Sequence, residues 1–161
     1  MTLVTSPPRT ISPPIAARRS SSALVVADER SCARALALLG QALDVASARV
    51  MIATMPMPLP AMVSAFAPLS GLTTYERLVE ESLERADDSA RAAALGLPAA
   101  CVTYCTLRRW SQVSDLLEGA WHEVVVLGCQ PRRRRPLRRI VEVSGTSQTA
   151  LLFAQPAVAC R

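Results

Sequence analysis

The sequence predicts an α/β fold: a parallel sheet with helices on both faces. Short apolar runs such as Ala23-Leu24-Val25-Val26-Ala27 and Val124-Val125-Val126-Leu127 have the unbroken hydrophobicity of strands buried on both sides. Longer stretches between such runs carry apolar residues at spacings of three and four, the pattern of amphipathic helices. The two kinds of segment alternate as βαβαβαβαβ, and right-handed crossovers restrict the topology further.

Taken in order, Ala23 to Ala27 is the first strand, ending at Asp28-Glu29. Ser31 is placed to cap a helix whose stripe is Cys32, Ala35, Leu36, Leu39, Ala42, Leu43 and Ala46. Val50 to Thr54 is the second strand, stopped by a loop with prolines at 56, 58, 60 and 68. A long helix is expected from about Thr73 to Leu95, with Tyr75, Leu78, Val79, Ala86, Ala90, Ala93 and Ala94 inward, and Gly96-Leu97-Pro98 ends it. Ala100 to Leu107 reads as the third strand, Ser111 as the cap of a short helix, and Val124 to Leu127 as the fourth strand. Gly145-Thr146 is then expected to start a last helix running to Ala154, with Ala157 to Cys160 as a stubby fifth strand.

Composition bounds the chemistry. At 161 residues, half of them hydrophobic, the chain is long enough for one well-buried domain. We expect that domain at 23–161, with Met1 to Ser22, rich in Pro, Ser and Arg, as a disordered tail. All 18 basic residues are arginine, which excludes a Walker-loop lysine, a Schiff-base lysine and a lysine general base. Cys32, Cys101, Cys105, Cys129 and Cys160 form no CxxC pair, and a single histidine rules out zinc-type spacing. Reduced thiols in the cytoplasm are the expectation. Alternate prolines interrupt the uncharged stretch after Arg49, so no membrane span is expected.

The segment from Glu123 to Thr149 stands out. An apolar run breaks at Gly128, six arginines follow within Arg132 to Arg139, and Ser144-Gly145-Thr146-Ser147 closes it. Strand, glycine turn, cationic loop and helix start is how an α/β protein builds an anion site. Arg132, Arg133, Arg134 and Arg135 are the candidate anion-binding loop, open to three readings: a solvated segment, a phosphate clamp, or a patch for nucleic acid or an acidic protein. The arginines lack interleaved aromatics that would stack bases. Cys129 beside this charge is either an activated or a plain thiol. His122 precedes the fourth strand, at the edge opposite Asp28 and Gly128, which argues against a triad. Trp110 and Trp121 read as packing residues.

In this order of elements the chain resembles the universal stress protein family over nearly everything after residue 22. The resemblance rests on LVVADE with the CARALALLGQAL helix, ARVMIATMPMP, the acidic helix closing on AAALGLPA, SDLLEGAWHEVVVLG, and SGTSQTALLFAQPAVAC. It implies an adenine nucleotide alpha hydrolase-like sheet of order 3-2-1-4-5, a homodimer paired through the last strand, and, in some members, ATP bound with Mg2+. Binding members carry G-x2-G-x9-G-[ST] after the fourth strand. Gly128 matches the first glycine and Gly145-Thr146 the last pair, with Ser147 following. Pro131 stands at the second glycine, and 16 residues separate Gly128 from Gly145 against 12 in the pattern. By the same carry-over, Asp28 lies near the nucleoside and Met55 lines the adenine, while Arg30 replaces a serine.

The expectation is therefore a cytoplasmic stress-response or regulatory protein that acts by binding rather than catalysis and whose ATP site is weak or lost. One alternative is an ATP-binding switch with slow ATPase activity that uses Asp28, Gly128, Gly145 and Thr146. The other is an interaction module that holds an acidic protein or polyanion through Arg132 to Arg139.

Overall fold

The computed structural model describes residues 21–58 and 72–154. The expected tail, apart from its last two residues, lies outside them, as do most of the proline-rich stretch and the strand expected at 157–160. Strand β1 is Ser22–Ala27, helix α1 Cys32–Ala42, β2 Arg49–Thr54 and α2 Leu72–Ala93. A short 3-10 turn, Ala99–Cys101, leads into β3, Val102–Thr106. Helix α3 spans Trp110–Gly119, β4 Val124–Leu127, α4 Arg134–Thr146 and β5 Ala150–Phe153.

All five strands are parallel and ordered β3-β2-β1-β4-β5, as expected. β1 and β4 are completely buried apart from Ser22, which is why they read as unbroken apolar runs. Alternate residues of each strand serve two cores. Val25, Val50 and Val126 meet Ala35 and Leu39 of α1 and Ala90 of α2 on one face. Leu24, Ala53 and Val125 meet Val113 and Leu117 of α3 and Ile140 of α4 on the other. Among the described residues, no helix is long and apolar enough to cross a membrane.

Two expectations are corrected in the last third of the chain. The arginine run is no loop: Arg134 to Arg139 are the first turns of α4. Arginine is a good helix former, and Pro136 falls at the third helical position, where its missing N–H has no intrahelical bond to make. Leu137, Ile140 and Val143 repeat every three residues and turn that face onto the second core. Ser144-Gly145-Thr146 is correspondingly the end of a helix and not its start. Thr149 N–H donates to Ser144 O at 3.0 Å and Gln148 N–H to Gly145 O at 3.5 Å, a Schellman-type closure. Gln148 supplies the left-handed residue of that motif, at φ 54. The chain then enters β5, Ala150–Phe153, at once, where the last helix was expected to run on to Ala154.

Smaller differences have local causes. Tyr75, expected inward, is 36% exposed, and the buried face of α2 is Ser82, Leu83, Ala86 and Ala90. Helix α3 starts one residue before Ser111, because Gln112 Oε1 accepts from the backbone N–H of Arg108 at 2.8 Å and of Arg109 at 2.9 Å.

Candidate functional site

Every strand of this sheet delivers its carboxyl end to the same edge, and that is where doubly wound folds take ligands. Asp28 follows β1, Met55 follows β2, Arg108 follows β3 and Gly128 follows β4. The ladder continues just past the strand ends through Met55 N–H to Ala27 O and Gly128 N–H to Val26 O, both 2.8 Å. These bonds fix the height of Met55 and Gly128 beside β1, at the point where the strand order reverses.

Asp28 is held by its own loop. Its Oδ1 accepts from Arg30 N–H at 3.2 Å, Ser31 N–H at 3.0 Å and the Ser31 hydroxyl at 2.7 Å, while Ser31 Oγ accepts from Asp28 N–H at 3.0 Å. This reciprocal box ties β1 to the start of α1, so the capping role expected of Ser31 is played toward Asp28. On the outside, Ser89 donates to Glu29 O at 2.9 Å and Arg85 pairs with Glu29 at 3.4 Å, fastening the loop to α2.

Gly128 is crowded, not open. A Cβ there would lie 2.9 Å from Ser31 Oγ and 3.1 Å from both Ser31 Cβ and Ala35 Cβ. Close packing of the β4 end under α1 thus requires glycine at this position whatever its relation to a ligand. The turn that follows, residues 128–133, is short, and with Pro131 in it one backbone N–H is missing.

The structure brings Asp28, Met55, Gly128 and Arg132 to Arg135 to the carboxyl edge. It places Gly145, Thr146 and Ser147 at the other end of the sheet. There Trp121 Nε1–H donates to Ser147 O at 3.2 Å, and Thr149 donates to His122 O at 2.7 Å. The physical reason is the length of α4: 13 residues rising about 1.5 Å each carry the chain from one edge to the other. The three residues matched to the last glycine pair therefore do not converge with Gly128. Residues fitting a triphosphate in the expected manner are not assembled, and no group of three metal-ligating side chains occurs among the described residues.

The edge nevertheless carries a cleft of about 280 Å3 between the ends of β2 and β3 and the β4–α4 turn. Met55, Pro56, Pro58, Trp110 and Pro131 give it an apolar wall, and Arg108, Arg132 and Arg133 line it with charge. Trp110 packs on the second core and also faces this cleft, a role the sequence reading missed. The available signal was its place at the carboxyl end of a strand. Arg108 pairs with Glu80 of α2, whereas Arg138 and Arg139 pair with Glu142 at 2.8 Å and Glu118 at 3.0 Å along the helices.

The thiols here are quiet. Burial, followed by the Asp28 charge, pushes the Cys129 thiol up to about 12 and the Cys32 thiol up to about 11. The arginine neighbourhood does not activate Cys129, because desolvation of the thiolate dominates. His122 is likewise remote from the site and buried. Its Nδ1 lies 3.1 Å from Ser22 Oγ, and burial lowers its pKa from the usual imidazole value.

Fold and edge together define a doubly wound α/β protein with an open cleft at the carboxyl edge of its sheet. The sequence matches no protein-family model and no curated protein. Among solved structures, the chain is similar to a hypothetical protein, with a TM-score of 0.50 and 11% identity over 83% of this chain and 94% of that one. It is also similar to a universal stress protein in complex with cAMP (TM-score 0.45, 20% identity, 84% and 97% covered). A universal stress protein from Archaeoglobus fulgidus gives a TM-score of 0.44 and 11% identity, with 84% and 93% covered. The first of these likenesses shows the fold.

Proposed function

We propose that this chain is a universal-stress-type binding protein whose carboxyl-edge site takes the nucleoside part of a nucleotide but lacks a built triphosphate subsite. One observation carries this reading. Asp28, Met55 and Gly128 stand together at the carboxyl edge, while Gly145, Thr146 and Ser147 lie at the amino edge beyond the whole length of α4. The apolar wall of Met55, Pro56 and Trp110 suits a planar base, and π-stacking on an aromatic ring is worth about 1–3 kcal/mol. On this reading its role is binding and regulation. A cytoplasmic location and dimerisation belong to the same reading; the exposed edge of the sheet at β5, with Phe153 37% exposed, is the pairing surface in that case.

The test is calorimetric titration and thermal unfolding of the full chain with adenosine, AMP and Mg-ATP. Bound ligand at a hundred times Kd adds about 2.7 kcal/mol of stability, well within reach of a melting curve. Adenosine and AMP are expected to stabilise the protein, and Mg-ATP to bind no more tightly than AMP. A gain of more than about tenfold from AMP to Mg-ATP would restore the intact-site switch.

A second reading is favoured by a specific feature. Helices α3 and α4 pack side by side and start at the same edge, with Arg109 and Arg133 as their N-caps and no acid in either first turn. Arg108, Arg109 and Arg132 to Arg135 thus concentrate positive charge where two helix macrodipoles also point positive ends. On this reading the face holds an acidic protein or other polyanion. Replacing Arg132 to Arg135 with Ser should weaken heparin binding and flatten its salt dependence. Unchanged binding at low salt would remove this reading.

A further inference from the structure

On the side away from β5, the sheet ends at β3, which among the described residues pairs with β2 alone. Leu107 N–H donates to Thr54 O at 2.8 Å, and Cys105 O accepts from the Thr54 hydroxyl at 3.3 Å. Cys105 and Leu107 thus turn their peptide groups toward β2. Peptide groups alternate in direction along a strand, so those of Tyr104 and Thr106 point out of the sheet. Such an edge is a template for one more strand.

Two cavities lie in line along this edge, between β3 and α2. The one toward the amino end of β3, of about 280 Å3, has Leu95, Leu97 and Val102 on its walls, and Leu95 is 85% exposed. The one toward the carboxyl end, of about 290 Å3, sets Glu80, Glu84 and Asp87 against Thr106. Arg91 stands between them, 5.0 Å over the Tyr104 ring and paired to Asp87 at 3.1 Å. Glu80 is paired to Arg108, whereas Glu84 belongs to no ion pair among the described residues. A strand laid outside β3 would turn alternate side chains over this groove. The chemistry it needs is an apolar side chain and, two residues away toward the carboxyl edge, a basic one.

Residues 1–20 meet these conditions. They carry Arg9, Arg18 and Arg19 and no acid, so their charge is complementary to the groove. They join the fold at the amino edge, where Ser21 O accepts from Arg49 N–H at 2.8 Å. A strand outside β3 lies three strand spacings from β1, about 14 Å. Residues 13–20 span up to about 26 Å when extended, which is ample. A chain arriving from the amino edge must run antiparallel to β3. In that direction Ile11 comes first, beside Tyr104 and the apolar cavity, and Arg9 follows two residues on, beside Thr106 and Glu84. Pro8 and Pro13 have no N–H and bound the pairing segment on either side. We propose that Arg9, Thr10, Ile11 and Ser12 of this chain add to β3 as an antiparallel strand, with Ile11 over the apolar cavity and Arg9 against Glu84. A composition that keeps a segment from folding alone does not keep it from pairing with an edge already built. Covered in this way, β3 is closed to pairing with another molecule.

Amide hydrogen exchange of the full chain, read residue by residue, is the test. The N–H groups of Tyr104 and Thr106 are the reporters, because β2 cannot protect them. Both are expected to exchange about tenfold or more faster in Arg9→Glu and in Ile11→Pro than in the unaltered chain. Val25 and Ile52, in the interior of β1 and β2, should not change. Arg18→Glu alters net charge as Arg9→Glu does but lies outside the pairing segment, and it should leave both reporters slow. Equal exchange of Tyr104 and Thr106 in the unaltered chain, Arg9→Glu and Ile11→Pro overturns the proposal. Release by Arg18→Glu as large as by Arg9→Glu also overturns it, since the attraction would then have no register. Protection that is lost on dilution would assign the edge to a second copy of the chain and overturn it equally.

Discussion

Replacing Gly128 with Ala separates two explanations of a glycine that the sequence alone makes look like a phosphate contact. The new methyl group would sit 2.9 Å from Ser31 Oγ and 3.1 Å from Ser31 Cβ and Ala35 Cβ, closer than ordinary van der Waals contact. Ser31 cannot readily yield, because its hydroxyl both donates to Asp28 Oδ1 at 2.7 Å and accepts from Asp28 N–H at 3.0 Å. Ala35 is a fully buried residue of α1, so relief requires moving the helix. Overpacking of this kind costs about 1–3 kcal/mol. Removing glycine from the unfolded chain returns about 0.4–1 kcal/mol. The net expectation is a loss of about 1–2 kcal/mol.

Urea denaturation at 25 °C measures it. With a slope of roughly 1–3 kcal/mol/M for a chain of this size, the midpoint should fall by about 0.5–1 M at constant slope. The double variant Ser31→Gly with Gly128→Ala tests the cause. Two of the three close contacts vanish, so the alanine should cost at most about half as much in the Ser31→Gly background. Equal costs in the two backgrounds, or a loss under about 0.3 kcal/mol, would refute the packing account. If phosphate affinity fell while stability held, Gly128 would be a ligand contact instead.

The other predictions concern single residues. Gln148 occupies the left-handed position that closes α4, at φ 54, where a side chain costs about 1–2 kcal/mol. Gln148→Gly should therefore raise stability by about 1 kcal/mol in the same urea assay, and a loss would mean that the side chain contributes more than its strain. His122 has its pKa lowered by burial, and its Nε2 is without a partner among the described residues. The unfolded chain takes up that proton more readily, so the stability contribution is full above pH 6.5 and is lost as pH falls below it. Stability should fall as the pH drops below 6.5, and that fall should be reduced in His122→Gln; parallel pH profiles of the two proteins would exclude the histidine. Cys129 and Cys32, pushed up to about 12 and about 11, should react with a maleimide at pH 7.5 far more slowly than a free thiol. Rapid labelling of Cys129 in the native chain, located by mass spectrometry, would contradict this.

What could be read in advance followed the strength of the local pattern. β1, β2 and β4 announce themselves because a strand buried on both faces has no polar alternation to blur it. Helices α1 and α2 carry long stripes, and Gly96-Leu97-Pro98 marks the end of the second unmistakably. The failure at α4 and β5 has a physical origin. Arginines with a proline among them look like a loop, yet Pro136 is harmless in a first turn, and only Leu137, Ile140 and Val143 mark the buried face. A glycine beside hydroxyl residues is ambiguous between helix start and helix end, and here the end won. β5 has four residues and is only partly buried, too short to outweigh a helical reading of the same letters. The placement of Asp28, Met55 and Gly128 at the carboxyl edge was legible because strand ends were legible.

The start of α4 is where local preference and fold disagree most sharply. Helix N-termini favour acidic residues, yet this one has Arg133 as N-cap, Arg134 and Arg135 in its first turn, no acid to offset them and no side-chain cap. One turn further on, Arg138 and Arg139 are paired to Glu142 and Glu118. The misplaced charge of this helix start thus sits at the carboxyl edge, beside a cleft that Arg132 and Arg133 line. Chains are usually consistent across levels, and departures from that consistency concentrate at functional positions. If the arginines serve an anion, adding acid there should raise stability and lower anion affinity together. Arg134→Glu is the variant that asks this: the macrodipole gain is about 0.3–1 kcal/mol by urea midpoint. Heparin affinity should drop in the same protein. A variant that gains stability and keeps its affinity would show that the charge is merely tolerated.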